Sequence, residues 1–197
     1  MSQVAQTQPK TWNIANQVTV ARLVASLFLF IALAFHQYWL SLILFILGAT
    51  TDWLDGYLAR SRNLVTKLGR ILDPLADKII ICGTFIYLSA ISGSLIPAWM
   101  TVVVVVREMV VTVLRSFLEQ EGHDFSAKMP GKIKMVLQCA AVIASLLMLA
   151  TRNADGEAAI AWLPGLVTPI AWAMAVSTIY SGVLYIPAAI RLLGGTK

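Results

Sequence analysis

Charge is scarce in this chain: of 197 residues only 13% are Asp, Glu, Lys or Arg, against 58% hydrophobic, and the mean hydropathy is +0.77. Soluble domains carry about twice that share of charge, so a water-soluble fold is disfavoured from the outset. Cysteine is nearly absent. Cys82 and Cys139 both fall within apolar runs and have no metal-ligand spacing between them, which excludes a disulfide framework and reads as packing. Histidine is limited to His36 and His123, in connections on opposite sides of the expected bundle, so no Cys/His cluster is available for zinc. Low-complexity tracts and internal repeats are missing too. A single domain over 1–197 is expected, with 1–17 as a cytoplasmic or interfacial lead.

What the chain has instead is a succession of apolar runs, each long enough to cross about 30 Å of hydrocarbon as a helix. The fold class expected is all-α, a polytopic membrane protein with six transmembrane helices. Their limits are Val18 to Phe35, Trp39 to Leu58, Ile71 to Ser92, Leu95 to Leu118, Val136 to Thr151 and Leu163 to Leu192. Lys10 and Arg22 ahead of an apolar stretch ending in "ALA" at 32–34 also resemble a signal peptide. The long polar lead, and the motif carried by residues 13–22, speak against that reading.

The net charge of +5 does not point to nucleic acid, because of where the charges fall. With the amino terminus inside, 14 of the 15 Lys and Arg lie on one side of the six spans and Arg152 alone on the other. That is the positive-inside bias, and it places both termini in the cytoplasm. Eight of the ten acids share that side.

Four of those acids stand out in "DWLDGYLARSRNLVTKLGRILDPLAD", residues 52–77. A charged side chain near a membrane-helix centre costs roughly 2.5–3.5 kcal/mol on insertion scales, so a group of carboxylates here needs compensation. Asp52 and Asp55 are three apart, and Asp73 and Asp77 four apart, so each pair shares a helix face. The two helices, taken as antiparallel neighbours, would bring both pairs to one site near the cytoplasmic interface. Either some carboxylates are protonated there or a cation neutralises them. All-oxygen ligands favour Mg²⁺ or Mn²⁺, and four carboxylates suit two divalent cations.

Gly56 and Gly69 allow close approach of ligand or of a neighbouring helix, Ala59 keeps one face open, and the Arg60 fork suits phosphate oxygens. Pro74 fits the first turn of a helix better than its interior, so the third span is expected to start near Gly69 to Asp73.

The stretch matches D-x2-D-G-x2-A-R-x8-G-x3-D-x3-D at all eight fixed positions, and so resembles the CDP-alcohol phosphotransferase family. "NIANQVTVAR" at 13–22, "REMVVTVLRSFLEQEG" and "GKIKMVLQ" resemble segments of its bacterial phosphatidylglycerophosphate synthase branch, with Ala15 where proline is common. The resemblance implies transfer of the phosphatidyl group of CDP-diacylglycerol to an alcohol, with release of CMP. It implies Asp52, Asp55, Asp73 and Asp77 as ligands of two Mg²⁺ or Mn²⁺ ions, and Asp77 as the base. Gly56, Ala59, Arg60 and Gly69, with Asn16 and Thr66, would contact the CDP-lipid.

If glycerol-3-phosphate is the acceptor, its phosphate needs a basic pocket, for which Arg107, Arg115, Lys132 and Lys134 are the candidates. The alternative is that they are topology charges snorkelling to the interface, or, for Arg107, half of a buried pair with Glu108. Phosphatidylglycerol, serine and an inositol phosphate are the other acceptors to weigh. A homodimer in the bacterial inner membrane, with a cytoplasmic active site, is implied as well. A transporter is a poorer fit, because the acids cluster at one interface and the second half has no counterpart of the motif.

Overall fold

The computed structural model describes the backbone of residues 14–62, 67–120, 129–153 and 159–187, and the side chains of 20–50, 75–114, 131–153 and 159–187. Six helices account for nearly all of them: α1 (Ile14–Ala34), α2 (Tyr38–Arg62), α3 (Lys67–Ala90), α4 (Ala98–Gln120), α5 (Met129–Ala150) and α6 (Leu163–Val183). Among the described residues two helical stretches, Gly131–Ala150 and Leu163–Val183, are by length and composition able to cross a membrane. Val20–Ala34 and Tyr38–Thr50 are shorter apolar stretches. In α3 and α4 the apolar sequence is interrupted by Asp77 and Lys78 and by Arg107 and Glu108.

The helix boundaries have local causes. α1 stops where His36 takes a left-handed conformation, φ 57°, while the amides of Phe35, His36 and Gln37 bond back to carbonyls of the last turn. α4 starts at Ala98 rather than at the expected Leu95, because Leu95 has φ 61° and Pro97 restricts the residue before it. α3 starts at Lys67, so Pro74 lies in the helix interior and not in its first turn. The expected start is corrected here: losing one backbone bond costs roughly 3 kcal/mol, and the continuing helix outweighs it. α5 begins seven residues earlier than expected, with Pro130 in its first turn, which puts Lys132 and Lys134 on the helix itself. α6 runs to Val183 and is followed by a turn at Leu184 and Tyr185, with helical backbone again at 186–187; the rest of the expected span, to Leu192, lies outside the described residues.

Short connections make successive helices antiparallel, so α1, α3 and α5 start, and α2, α4 and α6 end, at one end of the bundle. α5 is central, packing on α6, α2 and α3; α1 packs on α2 and α3, and α4 on α3 and α6. Phe45, Phe85, Leu88, Val104, Leu146 and Met174 are fully buried at the centre. Gly83 lets α1 and α3 approach closely, since a Cβ there would run into the Phe30 ring.

At the far end, two cross-helix bonds tie the connections down. Thr101 Oγ1 donates to the Phe85 carbonyl at 3.1 Å, and Ser145 Oγ to the Ser94 carbonyl at 2.6 Å. Arg152 adds bonds to the carbonyls of Ser92 and Gly93, at 2.9 and 2.8 Å, across the turn that Gly93 makes at φ 74°. Only glycine fits there, because the conformation is left-handed and the Arg152 guanidinium occupies the place of a Cβ.

Phe85→Ala is expected to destabilise the bundle by roughly 3–5 kcal/mol, since the ring is fully enclosed. Val102→Ala, at an exposed position, is expected to stay within about 0.5 kcal/mol. Unfolding of the purified variants in detergent checks both, and equal effects would place Phe85 outside the core.

Candidate functional site

α2 and α3 carry all four aspartates of the motif and pack on each other as well as on α1 and α5. Beside them lies a narrow cleft with a free volume of ≈ 20 Å³. Its walls are Arg22 of α1, Phe45, Gly48 and Ala49 of α2, Asp77, Ile80 and Ile81 of α3, and Met135 and Cys139 of α5. The other two walls come from α1 and α5; the expected convergence of the two aspartate pairs rests on side chains that, apart from that of Asp77, lie outside the described residues. Asp77 is the carboxylate of the motif seen in the cleft, with its side chain 26% exposed. Arg22, buried on α1, lies across from it in the same cleft.

Beside Asp77 a second group of charges is buried between helices. Its hub is Glu108 of α4, 1% exposed. Lys78 of α3 approaches Glu108 Oε2 at 2.5 Å, Lys134 of α5 bonds to Oε1, and Arg107 NH1 donates to Oε1 at 3.2 Å. Gln138 Nε2, one turn along α5 from Lys134, lies 3.4 Å from the same oxygen. Arg107 is held in turn by α6: its Nε donates to Ser181 Oγ at 3.0 Å and its guanidinium sits 5.7 Å from the centre of the Tyr185 ring. Gly182 leaves room for the Arg107 stem, which would lie 3.4 Å from a Cβ added there.

One carboxylate thus joins α3, α4 and α5 directly and α6 through Arg107. Lys78 Nζ also lies 3.4 Å from Asp77 Oδ2, so the hub touches a residue that lines the cleft. In a low-dielectric interior, a buried carboxylate stripped of its partners costs roughly 3–5 kcal/mol, which accounts for the number of donors converging on Glu108. The converse imbalance stands out chemically. Among the described residues Lys78, Arg107 and Lys134 bring three positive charges to Glu108, with Asp77 as a second carboxylate on Lys78, and the group keeps one positive charge in surplus.

Of the acceptor-pocket candidates, Arg107 and Lys134 come together in this group. Lys132 is exposed two residues away on α5, and Arg115 lies two turns further along α4, with its side chain outside the described residues. Asn16 is in the first turn of α1. Asp52, Asp55, Gly56, Ala59 and Arg60 lie on the last part of α2, and Gly69 and Asp73 on the first turns of α3. The side chains of these residues, and all of Thr66, lie outside the described residues. Among the described residues no three His, Cys, Asp or Glu side chains gather as a metal group.

Sequence reading did not single out Lys78 or Gln138, and counted Arg22 only as a topology charge and as part of the residue 13–22 motif. Lys78 had one available signal, its position directly after Asp77. Gln138 had only its place at the end of the segment "GKIKMVLQ", since its partner is 30 residues away.

Comparison with known proteins bears on the same residues. A sequence profile described as CDP-alcohol phosphatidyltransferase matches residues 12–181. A CDP-diacylglycerol–glycerol-3-phosphate 3-phosphatidyltransferase of Bacillus subtilis is 42% identical over 152 residues, covering 69% of this chain and 77% of the relative. A protein of the same name from Rickettsia bellii is 32% identical over 180 residues, 89% of this chain and 94% of the relative. A probable phosphatidylglycerophosphate synthase of Mycobacterium tuberculosis is 32% identical over 191 residues, 94% of this chain and 85% of the relative. The profile match runs from the lead of α1 to Ser181 of α6 and takes in the aspartate motif, the cleft and the Glu108 group together; the chain belongs to the CDP-alcohol phosphatidyltransferase family.

Proposed function

We propose that the protein transfers the phosphatidyl group of CDP-diacylglycerol to glycerol-3-phosphate, giving phosphatidylglycerophosphate and CMP. The observation that carries this reading is the adjacency of Asp77, open to a cleft, and a buried group of three cations gathered on one carboxylate. The relatives named for the same reaction, which align with 69–94% of the chain, support it.

In the reaction, Asp77 takes the proton of the acceptor hydroxyl. Its oxygen bonds to the phosphorus that carries the diacylglycerol, and the bond from that phosphorus to the bridging oxygen breaks. CMP leaves with the electron pair. Asp52, Asp55, Asp73 and Asp77 fit hard divalent ions, as a four-carboxylate set with no imidazole among the residues lining the cleft. Two Mg²⁺ or Mn²⁺ ions held there supply charge neutralisation on the pyrophosphate. Asn16, Gly56, Ala59, Arg60, Thr66 and Gly69 contact the CDP-lipid in this reading. Arg107, Arg115, Lys132 and Lys134 receive the acceptor phosphate, with charge-assisted hydrogen bonds worth roughly 1.5–3 kcal/mol each.

The setting proposed is a bilayer crossed six times, with both termini and the cleft on the cytoplasmic side. Large apolar side chains are exposed on α1, α2, α4, α5 and α6, where lipid would cover them. Exposed Trp39, Trp99 and Trp162 mark the starts of α2 and α4 and the residue before α6, all at the end remote from Asp77, as an interfacial aromatic belt would. The acyl chains of the donor stay in the lipid while its head group enters the cleft. A homodimer in a bacterial inner membrane belongs to the same reading.

Activity is expected to require added Mg²⁺ or Mn²⁺; CMP release that persists in full after exhaustive EDTA treatment would remove the metals from the mechanism. Asp77→Asn is expected to lower kcat by roughly 10²–10⁴, the range for a general base, with CDP-diacylglycerol binding largely kept. Near-normal turnover would take the base role from Asp77. Among acceptors, glycerol-3-phosphate is expected to be used and glycerol, serine and inositol to be poor, and Lys132→Ala to raise the KM for glycerol-3-phosphate more than that for the CDP-lipid. Thin-layer analysis with labelled donor decides the first point and steady-state kinetics the second. Cardiolipin from phosphatidylglycerol as the main product would change the acceptor while leaving the aspartate chemistry in place.

A further inference from the structure

We infer that Glu108 is a positioning residue of the acceptor site: it gathers Lys78, Arg107 and Lys134, from three different helices, into one anion-receptive group and ties that group to Asp77 through Lys78. The inference rests on the proposed use of a phosphorylated acceptor and assigns that site its organising residue.

Packing alone does not explain the group. A buried acid that served only to join helices would be balanced by one cation, and each further buried cation without an anion adds cost. Among the described residues three cations meet Glu108 and, through Lys78, Asp77, and the one positive charge left over is suited to a further anion. The exposures give the direction from which it arrives. Glu108 is enclosed at 1% and the Lys134 side chain at 5%, whereas the Lys78 side chain is 22% exposed and lies next to the 26% exposed Asp77. The less enclosed side of the group is therefore the one next to Asp77, which lines the cleft.

Lys78 Nζ stands 3.4 Å from Asp77 Oδ2 and 2.5 Å from Glu108 Oε2, so one ammonium joins the cation group to the carboxylate that lines the cleft. Glu108 keeps the ammonium groups of α3 and α5 and the guanidinium of α4 from diverging by mutual repulsion. Without it, Lys78 retains Asp77 as its anionic partner and is drawn toward the base. An acceptor lacking the phosphate leaves the group unsatisfied, which is the arrangement that discriminates strongly.

The experiment uses the full-length protein in detergent, first confirming that the wild type makes phosphatidylglycerophosphate. Glu108→Gln is then expected to raise the KM for glycerol-3-phosphate tenfold or more, to change the KM for CDP-diacylglycerol less than twofold, and to abolish the rise in melting temperature that glycerol-3-phosphate gives the wild type without donor. Glu108→Asp, which keeps the charge, is expected to recover part of both effects. Lys78→Gln, which leaves Glu108 paired with Arg107 and Lys134, serves if Glu108→Gln does not fold, and is expected to show the same split in KM. A wild-type acceptor KM in whichever of these two variants folds, with only the amount of active enzyme reduced, would make the group a structural anchor and overturn the inference while the proposed reaction stands. A wild type that does not use glycerol-3-phosphate overturns the reading on which the inference rests.

Discussion

The buried carboxylate of Glu108 is the constraint around which the bundle is organised. In an apolar interior a charge cannot be left to solvent, so each helix that supplies a partner has its rotation and depth set by that partner's reach. Lys78 fixes α3 in this way, Lys134 and Gln138 fix α5, and Arg107 carries the constraint to Ser181 and Tyr185 beyond α4. Apolar packing by itself, for example Phe85 and Leu146, specifies contact but tolerates small sliding; a shared ion group does not.

The cleft adjoins that group. α3 packs on α1, α4 and α5, and α2 on α1 and α5, and the cleft lies where α1, α2, α3 and α5 meet. The gap is lined by apolar side chains below and charged ones at its edge, with Arg22 on one wall and Asp77 on another. The opposite end of the bundle is built differently. There the connections are short and pinned by Thr101, Ser145 and Arg152 on backbone carbonyls, and the positive φ angles at His36, Gly93 and Leu95 turn the chain within a few residues. Rigidity at that end and an opening at the other suit a site that admits two substrates from one side.

Sequence alone determined the helices and the motif. Apolar runs of spanning length announced six of them, and the Asp spacings of three and four placed each carboxylate pair on one helical face, since helical geometry is local and readable within a turn. Their ends were less legible: Pro74 inside α3 and the early start of α5 reflect packing that outweighs local propensity. What only the tertiary structure decided is which charges meet. Lys134 and Gln138 reach Glu108 across 26 and 30 residues, and Ser181 reaches Arg107 across 74. Nothing in the spacing of such residues encodes the contact, because the rotation of one helix against another is set by the whole packed interface and not by either strand of sequence.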